Sequence, residues 1–205
     1  MNYEQMENNK ALLSGVIITE PVFSHEVLGE GFFETAIEVK RLSDSTDVIP
    51  VTVSERLLDE SDITVGKEVC LIGQFRSYNM LDGERSKLVL NFFVREITAP
   101  TPENPNLIEI CGYVCKESVY RTTPFGREIC DLLVAVNRAY NKSDYLPCIA
   151  WGRNARFAKN IPVGERVKIT GRLQSRPYQK QLQNGDIETR VAYEVSIGRI
   201  TVDKE

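Results

Sequence analysis

Histidine occurs once in this 205-residue chain, tryptophan once, and none of the five cysteines stands in a CxxC pair. These shortages exclude chemistry. His25 is the sole imidazole and falls in a loop of the first half, so no Ser/His/Asp or Cys/His arrangement can be assembled in the second. No cysteine and histidine spacing suits zinc, and no glycine-rich loop of the Walker type is present. The expectation is a protein that is not an enzyme and carries no metal or cofactor. Cys70, Cys111, Cys115, Cys130 and Cys148, odd in number, read as reduced, mostly buried small apolar side chains. No apolar run is long enough to cross a bilayer, and "MNYEQMENNK" has neither the basic nor the apolar stretch of a leader. A cytoplasmic location without membrane contact follows as the expectation.

Positive charge is also short, with 25 Lys and Arg against 29 Asp and Glu, a net charge of −4. That average argues against a nucleic-acid partner, which calls for a basic surface. It hides a split. Residues 1–99 carry 9 Lys and Arg against 17 Asp and Glu, a balance of −8, whereas residues 100–205 carry 16 against 12, a balance of +4. Between the halves lies "TAPTPENPN", 98–106, whose three prolines mark a linker. The expected organisation is an acidic domain over 1–99, a Pro-rich linker over 100–106 and a basic domain over 107–205.

Displacing the second half by 97 positions lays Gly112 over Gly15, Arg138 over Arg41, Asp144 over Asp47 and Pro147 over Pro50. With one inserted residue, "VGERVKITGRLQS" (163–175) falls on "VGKEVCLIGQFRS" (65–77). Two copies of one domain of about a hundred residues account for this. In the first, alternating apolar runs at about 11–18, 32–41, 47–53, 67–78 and 87–97 read as strands. A short helical segment follows the third run, "SERLLDESD" in one copy and "RNARFAKN" in the other. Five strands with a helix between the third and fourth is the order of an OB-fold, so the expected class is all-β, two tandem OB barrels.

Strand phase then separates core from surface. Ile49, Val51 and Val53 form the inward set of the first copy's third strand, matched by Leu146, Cys148 and Ala150 in the second. Tyr145, Pro147, Ile149 and Trp151 are left outward, where the first copy has small or polar residues. In the following strand of the second copy, Lys168, Thr170, Arg172, Gln174 and Arg176 are the outward set. Beyond it, "RPYQKQLQNGDIETR" reads as a hairpin with an Asn-Gly turn, and "KESVYRTTPFGRE" as the loop between strands 1 and 2. In OB-folds such loops and the face of strands 2 and 3 bind oligonucleotides.

A single strand offers base faces and phosphates together, so its receptor combines aromatic platforms with cations. Tyr140, Tyr145, Trp151 and Tyr178 are the candidate rings. Arg121, Arg127, Lys142, Arg153, Arg172, Arg176 and Lys180 are the candidate phosphate contacts. Arg153, Arg156 and Lys159 also fit a solvated helix face. Arg138 recurs as Arg41 and suggests a structural role, and Tyr120 and Phe125 suit packing of their loop. The reading is a protein that binds single-stranded DNA; a protein-interaction module and a single-stranded RNA binder are the alternatives.

The stretch "SDYLPCIAWGRNARFAKNIPVGERVKITGRLQSRPYQK", 143–180, resembles the central motif of bacterial single-stranded DNA-binding proteins. It shares an aromatic start to strand 3, a hydrophobic-Gly-x-x-Ala helix entry, and Gly-x-x-Val-x-Ile-x-Gly-Arg-Leu-x-[ST]-Arg followed by an aromatic. "GYVCKESVYRTTPFGREICDLLVAVNRAY" is similar to that family and to its primosomal replication protein N relatives. The resemblance implies base stacking at Tyr140, Tyr145, Trp151 and Tyr178, and work in replication, repair or recombination. At the corresponding places the first copy has Ser43, Val48 and Ser54, with Tyr78 near the end of strand 4. That acidic copy is expected to support oligomerisation or to contact replication or repair proteins. The whole is expected to be a homodimer or a pseudo-dimeric monomer.

Overall fold

The computed structural model describes residues 8–61, 63–82, 85–100, 106–182 and 185–203. Among these residues twelve strands and two short helices fall into two matched sets. The first runs β1 (Asn9–Ile17), β2 (Val22–Val27), β3 (Glu30–Lys40), β4 (Thr46–Ser54), α1 (Glu55–Glu60), β5 (Glu68–Asp82) and β6 (Arg85–Thr98). The second runs β7 (Asn106–Val114), β8 (Val119–Thr122), β9 (Glu128–Arg138), β10 (Lys142–Trp151), α2 (Arg153–Ala158), β11 (Arg166–Gln181) and β12 (Ile187–Val202). Each helix lies after the third barrel strand. The loops read between strands 1 and 2 are not wholly irregular: each contains a short extra strand, β2 or β8, laid antiparallel on the next strand.

Within each set the ladder closes on itself. β1 pairs with both β5 and β3, β4 pairs parallel with β6, and β7 repeats the closure with β11 and β9. These are two five-stranded OB barrels. Closure brings backbones so near that a Cβ at Gly15 would overlap the Glu38 carbonyl oxygen, and one at Gly112 the Ala135 carbonyl oxygen. Glycine is therefore required at both equivalent positions. The inward sets Ile49, Val51, Val53 and Leu146, Cys148, Ala150 are all buried, as their alternation predicts.

The barrels are joined edge to edge by antiparallel pairing of β1 with β7, giving one continuous sheet. Around this junction the contacts are reciprocal. The Ser175 N–H donates to buried Asp47 at 2.7 Å and the Val48 N–H to Ser175 Oγ at 3.1 Å. In the other direction the Ser77 N–H donates to buried Asp144 at 2.8 Å and the Tyr145 N–H to Ser77 Oγ at 2.7 Å. Arg41 clamps Asp47 and Arg138 contacts Asp144, which accounts for the recurrence of both pairs. The arrangement is that of an isologous dimer interface built within one chain. Of the expected linker, residues 101–105 lie outside the described residues.

Candidate nucleic-acid interface

Four strands of the second barrel, β8, β9, β10 and β12, share one outer surface. Along β10, Tyr145 lies opposite Ala135, Pro147 opposite Leu133, Ile149 opposite Asp131 and Trp151 opposite Ile129. Tyr145 is 42% exposed and Trp151 39%, both partly open and half seated on their neighbours. About 20 Å of strand separates them at the usual rise per residue. Ile149 shares their phase, yet it is buried at the point where β10 is paired with both β9 and β12. On β11, Tyr178 has the outward phase of Arg172, Arg176 and Lys180 and is 38% exposed, whereas Gln174, expected outward, is buried and donates to Glu194. Tyr140 stands 88% exposed in the β9–β10 turn, where it and Asn141 adopt positive φ.

The cations divide into those that are engaged and those that are open. Arg127, Lys142, Arg153, Arg176 and Lys180 are exposed, Arg176 with Nε 3.4 Å from Glu194. Arg121 is paired with Asp131 at 2.9 Å on the outer surface. Arg172 reaches across the junction to Asp47 at 3.2 Å and also donates to Gln174. Two helix cations turn toward the β8 hairpin: Arg156 lies 3.5 Å from Glu128, and Lys159 stands over the Tyr120 ring at 4.7 Å. Tyr120 itself donates to Glu128, a bond that raises its phenol above the ordinary range, and its ring packs on the core. Phe125, read as a loop packer, is 91% exposed between Arg121 and Arg127. Its only sequence signal is a position at a Pro-x-Gly tip.

Gly152 links Trp151 to α2. Its φ of 52° and ψ of −117° belong to glycine, and its N–H donates to the Glu128 carbonyl at 2.9 Å. The chain can thus leave β10 sharply while Trp151 stays in strand phase. In the first copy Ser54 precedes α1 with ordinary extended angles and is buried.

The first barrel's outer surface is less bare than its third strand predicts. His25 stacks on Phe32 at 5.2 Å, Phe32 tilts against Phe93 at 5.7 Å, and the Arg76 guanidinium lies 3.9 Å from the Phe93 centroid. These rings stand on β2, β3 and β6, flanking the small residues of β4. Tyr78 aligns with Arg176 rather than with Tyr178, whose equivalent is Met80. Tyr78 and Tyr178 nevertheless both line a cavity of about 440 Å³ at the junction, together with Pro50 and Pro147. All five cysteines are free; burial drives the Cys148 thiol far above its ordinary range. Among the described residues no cluster of His, Cys, Asp and Glu could hold a metal, and no helix is long and apolar enough to cross a membrane.

Closed five-stranded barrels in tandem, with rings and cations on the second barrel's outer sheet, define a two-barrel OB-fold protein. Residues 105–202 match the model of the Single-strand binding protein family. That match covers the second barrel and just under half of the chain. Among curated relatives, Single-stranded DNA-binding protein 1 of Staphylococcus aureus (strain COL) is 32% identical over 83 residues, covering 37% of this chain and 50% of the relative. Single-stranded DNA-binding protein A of Bacillus subtilis (strain 168) is 30% identical over 83 residues, covering 37% and 48%. The chain thus spans about half the length of the curated relatives it matches. The solved structure of wild-type single-stranded DNA binding protein from Thermus aquaticus superposes with a TM-score of 0.76 at 18% identity, covering 96% of this chain and 93% of that one. That likeness shows the two-barrel fold.

Proposed function

We propose that this protein binds single-stranded DNA without catalysis, through the outer face of its second barrel, in replication, repair or recombination and in the cytoplasm. The observation that carries the reading is the joint exposure of Tyr145, Trp151 and Tyr178 beside Lys142, Arg153, Arg176 and Lys180. Bases stack on the rings, each contributing roughly 1–3 kcal/mol, while the cations displace counterions from the phosphates. Tyr140, Arg121 and Arg127 border the same face, and Arg172 contributes from the junction. The functional units are two domains divided at the Pro-rich segment, and the self-complementary junction supports a pseudo-dimeric chain. Contacts of the acidic domain with replication or repair proteins belong to the same proposal.

Trp151 is the sole tryptophan, so its emission reports on this face directly. An oligothymidylate at low salt should quench it, and added salt should weaken the binding steeply. Unchanged emission, or equal affinity after Trp151→Ala and Tyr178→Ala together, would refute the reading. A parallel titration with RNA strand and duplex DNA distinguishes the nucleic-acid classes.

A further inference from the structure

The junction between the barrels encloses a second group of rings and guanidinium groups. A cavity of about 430 Å³ is bounded by Arg76, Ser77, Tyr78, Asn91 and Phe93 of the first copy and by Arg138 of the second. Ser24, His25, Glu34 and Thr52 complete its wall. It shares Tyr78, Glu34, Thr52 and Asn91 with the cavity that Tyr178 lines, so the two are contiguous. It also abuts the start of the second barrel's face, since the Tyr145 N–H is bonded to Ser77 Oγ and Arg138 lies opposite Lys142 in the β9–β10 hairpin.

Charge in this cavity is poorly balanced. Arg138 has Asp144 at 3.3 Å, and Arg95, whose guanidinium is 4.9 Å from the Phe93 centroid, feels Glu30. Arg76 makes no ion pair among the described residues: its Nε and one terminal nitrogen both donate to the neutral Gln74 amide oxygen, at 3.2 and 2.7 Å. Burial, with Arg95 and Arg138 nearby, lowers the Arg76 guanidinium to about 10, so it remains charged at neutral pH. Glu34, the one carboxylate of the wall, is held by the Ser24 hydroxyl at 2.8 Å. A half-buried guanidinium stacked on a ring, with no carboxylate in direct contact and only Asp144, itself held by Arg138, acting on it through space, suits an incoming phosphate, with an aromatic beside it to take the adjoining base.

We propose that the cavity formed by Arg76, Tyr78 and Phe93 with Arg138 is a second nucleotide site, accepting one phosphodiester and its base from a strand that continues past Tyr145 onto the first barrel. This extends the strand-binding reading of the second barrel and rests on it. The first copy, acidic in total, would then contribute directly to strand binding. Its net charge is no obstacle, because part of its acid, Glu30, Glu55, Asp59 and Glu60, gathers around α1 and the β2–β3 turn.

The test uses the full chain with two oligothymidylates, one of about 10 nucleotides that one barrel can cover and one of about 30 that can span both. Binding is read by Trp151 emission and by anisotropy of labelled DNA over a salt series. For Arg76→Gln the 30-mer should bind roughly tenfold more weakly and its salt slope should fall by about one, while 10-mer affinity stays within about twofold. Tyr78→Ala, at a more exposed position, should weaken the 30-mer without changing the salt slope. Unaltered 30-mer affinity and slope in both variants overturn this site and leave the second-barrel reading standing. If wild type binds only the 30-mer, and Arg76→Gln abolishes that binding without quenching of Trp151, the second-barrel reading fails instead. Failure of both oligomers to bind refutes both. Urea midpoints establish that the variants fold.

Discussion

Arg172 and Arg153 show how differently two cations of one predicted surface behave once their partners are known. Arg172 is held by buried Asp47 across the junction, whereas Arg153 is exposed at the start of α2. Replacing Arg153 by alanine should lower strand affinity and reduce the salt slope by about one, with little change in the urea midpoint. Asp47→Ala should act on stability instead. It strips a buried carboxylate from two guanidinium groups and from the Ser175 N–H, and should cost about 3 kcal/mol in urea denaturation. The outward phase of Tyr145, Trp151 and Tyr178 was legible because side chains alternate along a strand, although Ile149 shows that phase alone does not ensure exposure. The partners of the cations were not, since charge in a sequence carries no address.

At the scale of elements, the strand-to-helix corner after Trp151 depends on Gly152. Its backbone is one that other residues enter with difficulty, so Gly152→Ala should cost about 1–3 kcal/mol although a Cβ there meets nothing within 4 Å. The same change should shift Trp151 emission in the free protein and weaken strand binding. Gly15→Ala tests closure rather than the site. Its Cβ would drive against the Glu38 carbonyl between β1 and β3, and a clear fall in thermal midpoint should follow while the residual folded protein keeps its affinity. Strand positions and the β11–β12 pairing were readable from period-two alternation, while Asn184 of the expected Asn-Gly turn lies outside the described residues. The short β2 and β8 were not. β2 is exposed along its whole length and β8 spans four residues, so neither carries an alternation to detect.

For the whole molecule, the reciprocal junction links pH to stability. Burial raises the Asp144 carboxyl above its ordinary value, outweighing the Ser77 N–H and the nearby Arg138 and Arg76. A carboxyl raised on folding is more protonated in the native state, so its contribution to stability is present at low pH and is lost as pH climbs through the raised value. From about pH 4 upward, Asp144→Asn should therefore lose less stability with rising pH than the wild type, as urea midpoints across that range would show. The repeat, the charge split, the barrel class and the outward phase of Tyr145, Trp151 and Tyr178 were determined by the sequence alone, because each is a local pattern or a comparison of two local patterns. The meeting of Ser175 with Asp47 and of Ser77 with Asp144, at separations of 128 and 67 residues, was decided by the tertiary structure. So was the convergence of Arg76, Tyr78 and Phe93 on Arg138. Such contacts exist only after two barrels have closed and paired β1 with β7, and no periodicity within a strand encodes what a neighbouring barrel will bring to it.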